Sequence, residues 1–194
     1  DYRKNFGPVT PGFRAVPFGD LKAIEASITP NTAAVLIEPI QGEAGIKTPP
    51  AGFLRDLRAL CDKHNVLLIL DEVQSGLGRT GKMFAYQHEN ILPDLLVLGK
   101  ALGGGLLPVS AVVGKRAVIS LFKPGSHGST FGGNPLAAAV GLESLTVLEQ
   151  EGMVENSAKL GDYMMQQLRG INSPLIREVR GKGLWIGVDF DPAK

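Results

Sequence analysis

Four apolar runs punctuate the first 114 positions, at 33–39 (AAVLIEP), 66–71 (VLLILD), 94–99 (DLLVLG) and 108–114 (PVSAVVG). None alternates with polar residues, so each predicts a strand buried on both faces rather than a one-sided sheet. Segments of helical period lie between and around them. Asp20 can cap a helix that places Leu21, Ile24 and Ile28 on one face. Over 49–65, Leu54, Leu57 and Cys61 keep helical spacing, while Arg55, Asp56, Arg58 and Asp62 are expected to point outward. Strands alternating with helices predict an α/β fold, a mainly parallel sheet covered by helices.

Past residue 134 the texture changes. Asn134 is a plausible cap and Pro135 a plausible first residue for a long helix (NPLAAAVGLESLTVLEQEG), and ENSAKLGDYMMQQLRGI predicts another. IREVRGKGLWIGVDF reads as two short strands around Gly181 and Gly183. A domain change is expected near 150, with 1–150 part of a large domain and 151–194 the beginning of an α+β C-terminal small domain.

Composition narrows the function classes. The chain has 194 residues, 44% hydrophobic and 20% charged, with a formal net charge of +1. That balance implies no general attraction to nucleic acid or to an anionic membrane, and no apolar run reaches membrane-spanning length. A single cysteine, Cys61, excludes an internal disulfide and points to a reducing, cytoplasmic home, with Cys61 itself acting as a small buried hydrophobe. His64, His88 and His127 lie far apart without zinc-like spacing, so no metal is expected. The chain stops just after a strand-like run, and an internal fragment of a longer protein is expected.

The run at 66–71 raises the chemical question, because pure grease ends in two carboxylates, Asp71 and Glu72. One reading is plain: Asp71 caps a turn and Glu72 is solvated. A second is a nucleotide-binding module, since apolar residues before Asp-Glu look like a Walker B strand and 76–82 (GLGRTGK) fits G-x-x-x-x-G-K. Met83 stands where that motif needs Ser or Thr for magnesium, and the glycines follow the acids instead of preceding them. A third reading pairs the acid with Lys100, which follows the run LLVLG and precedes ALGGG. A lysine among apolar neighbours suits Schiff-base chemistry. An aldehyde cofactor joined to Lys100, with a ring nitrogen paired to Asp71, accounts for both residues, and pyridoxal phosphate is such a cofactor.

At these residues the sequence resembles the class III (subgroup II) pyridoxal-phosphate-dependent aminotransferases. The likeness rests on IEPIQGEAGI, LDEVQSGLGRTGKMFA, PDLLVLGKALGGGLLPVSAVVG, PGSHGSTFGGNPLAAA and EVRGKGLWIGV, in family order, with acid and lysine 29 positions apart. Within the class the ornithine-using branch is the nearer likeness, ahead of the acetylornithine and 4-aminobutyrate branches. The resemblance implies the fold of type I pyridoxal-phosphate enzymes and a ping-pong exchange of an amino group between small amino-acid and keto-acid substrates. It implies that Lys100 forms the internal aldimine, that Asp71 pairs with the pyridinium nitrogen, that Val73 packs on the ring and that Gln74 bonds near its phenolic oxygen. Thr130, with Ser129, would reach the phosphate of a neighbouring subunit's cofactor, so a homodimer or higher assembly is implied. Glu43 would select substrate by pairing with an arginine late in the longer chain, and Glu38 would assist. The family's phosphate turn, ring-stacking aromatic and carboxylate-gripping residues are not found in these 194 positions. Arg79 is expected to be an ion-pair partner holding the glycine loop, Arg180 to be structural, and His127 to fill a loop.

Overall fold

The computed structural model describes residues 5–191. Helix α1 (Leu21–Ser27) starts where Asp20 Oδ1 accepts the Ala23 N–H at 2.9 Å, as the capping pattern predicts. Helix α2 (Phe53–His64) has no side-chain cap of its own. Glu89, far along the chain, supplies one, its carboxylate accepting the N–H groups of Gly52 (3.1 Å) and Arg55 (2.9 Å). A carboxylate at a helix N-terminus satisfies orphan donors and complements the helix dipole.

Strands β1 (Ala34–Ile37), β2 (Leu67–Asp71) and β3 (Leu95–Leu98) run parallel, and β4 (Ala111–Gly114) joins β3 antiparallel, in the order β1-β2-β3-β4. The sheet is therefore mixed. The α/β class expected from the periodicity holds, with the core where α1 and α2 meet β2 and β3. Leu57, Cys61, Leu68 and Leu70 are fully buried there.

Two expectations need correction. The outer strands are not buried on both faces: Leu36, Val112 and Val113 are 56%, 55% and 54% exposed. An apolar run records that a strand can be covered, not which neighbouring element covers it. Arg58 also does not point outward. Its guanidinium turns in to Asp94, with Nη1 donating to Oδ2 at 2.7 Å and only 13% of the side chain exposed, while Nη2 holds Asp62 at 2.7 Å.

The rest of the chain packs on this layer. After the four-residue helix α3 (Arg116–Ile119), helix α4 (Pro135–Gln150) begins on Asn134, whose Oδ1 accepts the Ala137 N–H at 2.8 Å. Leu145 and Leu148 of α4 reach the core beside Leu102. Helix α5 (Met153–Arg169) lies against an antiparallel hairpin, β5 (Ile176–Lys182) and β6 (Trp185–Phe190), which forms a separate two-stranded sheet.

Asp94 ties the start of β3 to its surroundings. It is buried and accepts from Arg58, from the Leu68 N–H (2.8 Å) and from Lys115 Nζ (2.6 Å). Burial alone would push its carboxyl up, but the hydrogen bonds from Lys115, Leu68 and Arg58 outweigh burial and hold it at about 2, below the ordinary 3.8. The stabilisation is therefore complete above the ordinary value and is lost as pH falls through the folded value. Asp94→Ala is expected to cost about 3 kcal/mol, because it removes the buried partner of the Arg58 guanidinium and the acceptor of the Leu68 N–H, leaving only Asp62 on the arginine. Asp94→Asn is expected to flatten the acid limb of stability between about pH 4 and pH 2. Urea denaturation of the full-length protein across a pH series measures both.

Candidate active site

Asp71 is the last residue of β2, in register with Val97 of β3, and Lys100 follows the end of β3 by two positions. The acid and the amine thus stand at the carboxyl ends of adjacent parallel strands, where open α/β sheets collect ligands. Asp71 is half-buried, and its Oδ1 accepts the Val73 N–H at 3.0 Å. Its other oxygen makes no hydrogen bond among the described residues. Lys100 opens a short 3₁₀ turn (Lys100–Gly103) at φ +40°. Left-handed backbone is costly for a residue with a Cβ and persists where the surroundings enforce it. Lys100 is exposed, so the dry setting suggested by its flanking runs is not supplied by the described residues. Leu98 and Leu102 turn into the core, and the turn between them leaves the lysine outside it.

A cavity of about 420 Å³ opens beside Lys100, lined also by Val73, Gln74, Arg79, Leu184 and Trp185. This is within the range of small-molecule sites. Three carboxylates, Asp71, Glu38 and Glu43, lie near Lys100 or Gln74 without lining the cavity. Glu38 is half-buried and its Oε2 accepts the Gly42 N–H at 3.2 Å. Burial pushes the Glu38 carboxyl above its usual range, and the charges of Asp71 and Glu43 add to this against the Gly42 N–H and Lys100. Those four charged groups therefore share one electrostatic neighbourhood. Glu43 is exposed and accepts from Gln74 Nε2 at 3.4 Å.

Ser129 and Thr130 do not join this group. Both are exposed, Ser129 Oγ accepts the Gly132 N–H at 3.0 Å, and neither lines the cavity. His127 is exposed, its ring 6.1 Å from that of Phe122. Arg79 forms no ion pair among the described residues. The glycine loop is held through the Arg79 backbone carbonyl, which accepts from the Leu184 N–H and from Ser157 Oγ, each at 3.1 Å.

Glu72 is not a solvated acid. It is 1% exposed and accepts from the N–H groups of Ala85 (2.6 Å) and Tyr86 (3.0 Å), capping the 3₁₀ turn Ala85–Glu89. Burial pushes its carboxyl up, and those two N–H groups and Ser75 oppose the shift. Nor does the glycine loop cradle a phosphate. Thr80 is buried, and a Cβ at Gly81 would come within 2.9 Å of Ala158 Cα. The loop is small because α5 lies against it, which removes the physical basis of the nucleotide-binding reading.

The family model for class-III aminotransferases matches residues 1–194. The chain belongs to the class-III aminotransferase family. It is 57% identical over 190 residues to the ornithine aminotransferase of Exiguobacterium sp., an alignment covering 98% of this chain and 48% of that protein. The solved ornithine aminotransferase from Toxoplasma gondii superposes with a TM-score of 0.94 at 47% identity, covering 97% of this chain and 46% of that one. An acetylornithine aminotransferase from Elizabethkingia anophelis superposes at 0.90 with 48% identity, covering 94% of this chain and 49% of its own. The chain thus spans about half the length of the relatives it matches. Class-III aminotransferases depend on pyridoxal phosphate.

Leu184 and Trp185 line the cavity although nothing in their sequence marked them for a site. Their one signal was an apolar pair directly after the glycine turn of GKG, and only the fold shows that this hairpin turns back onto the glycine loop. Replacing Glu72 by Ala is expected to cost about 1–3 kcal/mol, since two buried amide donors lose their acceptor. Thermal denaturation of the full-length protein checks this.

Proposed function

We propose that the protein containing this chain is an ornithine δ-aminotransferase. It transfers the δ-amino group of L-ornithine to 2-oxoglutarate, giving glutamate 5-semialdehyde and glutamate. The observation that carries the reading is the placement of Lys100 and Asp71 at neighbouring parallel strand tips, with Val73 and Gln74 beside the lysine on one cavity. The donor set fits pyridoxal phosphate: an amine for its aldehyde, a carboxylate with one uncommitted oxygen for its ring nitrogen, and an apolar side chain for its ring face. When bound, that cofactor supplies an electron-withdrawing ring that carries the amino group from donor to acceptor.

The chain's own residues supply placement and charge. Asp71, steadied by the Val73 N–H, holds a proton on the ring nitrogen by a charge-assisted hydrogen bond. Lys100, clear of the core on its strained turn, can reach the substrate carbon and move a proton there. Val73 packs against the ring and Gln74 orients its phenolic oxygen. Glu43, at the mouth of the site, selects between a cationic amine and a dicarboxylic acceptor by its charge, with Glu38 supporting it. Ser129 and Thr130, on an exposed loop away from their own cavity, serve the phosphate of a neighbouring subunit's cofactor in a homodimer. We also infer that residues 151–194 begin a small C-terminal domain that closes one wall of the site through Leu184 and Trp185.

A second reading has its own support. The similarity to an acetylornithine aminotransferase structure, a TM-score of 0.90 at 48% identity, equals that to one of the ornithine enzymes. Steady-state rates of the full-length protein with ornithine, acetylornithine and 4-aminobutyrate separate them, and a preference of at least about tenfold for ornithine is expected. Lys100→Ala is expected to abolish turnover and the borohydride-sensitive absorbance near the visible edge. Asp71→Asn is expected to lower kcat by about 10²-fold or more with the protein still folded. A colourless wild-type protein with no amine-dependent turnover overturns the proposal.

A further inference from the structure

Glu43 sits on a narrow turn whose ends are bridged, Gln41 N–H to Lys47 O at 3.0 Å and Lys47 N–H to Gln41 O at 2.9 Å. Inside it the Gly42 carbonyl accepts the N–H groups of both Gly45 (3.0 Å) and Ile46 (3.1 Å). Gly45 and Ile46 have φ values of +100° and +52°. A β-branched residue in left-handed backbone is strained, so something outside the turn must hold the shape. Among the described residues, the Glu43 side chain is held only by the 3.4 Å bond from Gln74. Its position therefore follows the backbone of the turn.

We propose that Arg180 is a positioning residue for Glu43, fixing the turn from the C-terminal hairpin 135 residues away. Arg180 Nε and Nη2 both donate to the Gly45 carbonyl, at 2.9 and 2.6 Å. The guanidinium is itself fixed, Nη1 to Glu178 at 2.8 Å and Nη2 to Asp189 at 2.8 Å, and only 13% of the side chain is exposed. Glu178 and Asp189 face each other in the β5–β6 register, so the hairpin presents the arginine as a rigid fork. Gly187 of β6 completes the contact, since a Cβ there would stand 3.2 Å from Ile46 Cβ. The arginine is thus more than a generic structural residue of the hairpin: it sets where the selecting carboxylate stands. The specificity consequence rests on the reading of Glu43 given above.

The test uses the full-length enzyme with its cofactor and the variants Arg180→Met, Arg180→Lys and Glu43→Gln. Hydrogen exchange at amides 42–46 is expected to accelerate by about tenfold or more in Arg180→Met, with β2 and β3 unchanged, because a charge-assisted hydrogen bond is lost. The KM for the dicarboxylic acceptor is expected to change by about tenfold, with the kcat of the amine half-reaction within about twofold. Combined with Glu43→Gln, the effect on acceptor KM is expected to be non-additive. Arg180→Lys, which keeps charge without the fork, gives an intermediate result and serves alone if the methionine variant does not fold. Unchanged exchange at 42–46, equal losses in both half-reactions, or strict additivity overturns the proposal. Exchange does not depend on turnover. An inactive wild type with the exchange effect intact therefore refutes the aminotransferase reading and supports the positioning. An active enzyme with unchanged exchange refutes the positioning alone.

Discussion

The parallel register between β2 and β3 is the constraint on which the site depends. Pairing Asp71 with Val97 brings two strands to the same edge of the sheet and ends them there, one in an acid and the other, two residues later, in a lysine. Shifting either strand by one residue would reverse which side chains enter the core and send the acid to the other face. The buried leucines on both strands make such a slip costly. Core packing and strand-tip geometry are therefore one constraint: the side chains that lock the register also set where Asp71 and Lys100 stand relative to each other.

Around that edge the chain uses long-range polar contacts to fix loops that have little regular structure. Glu72 caps the 3₁₀ turn that follows the glycine loop, Glu89 caps α2, and Asp94 gathers Arg58, Lys115 and the Leu68 amide at the opposite end of β3. Each is a carboxylate meeting donors that would otherwise be orphaned on burial. The hairpin β5–β6 plays a similar part from farther away. Its turn holds the Arg79 carbonyl, and Arg180 holds that of Gly45. The site's loops are thus clamped from both sides, by the sheet beneath and by the hairpin above.

Large apolar side chains remain exposed, among them Leu36, Val113, Phe122, Phe131 and Leu136. A single chain seldom leaves so much grease in water without a partner surface. In the homodimer proposed above, a second subunit would be one source of such cover.

The sequence alone determined the local elements and the positions of an acid and an amine at two strand tips. Asp20 and Asn134 as caps, the helical stripe of Leu54, Leu57 and Cys61, and the apolar strands were legible because they depend on neighbours three, four or two residues away. Asp71 and Lys100 were legible because an ionisable group at the end of a greasy strand is conspicuous. The tertiary structure decided what covers each strand, where the two acids at 71 and 72 part company, and why the glycine loop is small. It also turned Arg58 inward to Asp94, brought Trp185 to the cavity and set Arg180 against the Gly45 carbonyl. Those outcomes depend on contacts between residues tens to more than a hundred positions apart. Their energies come from burial and from the direction of single hydrogen bonds, and neither is encoded in the spacing of residue types along the chain.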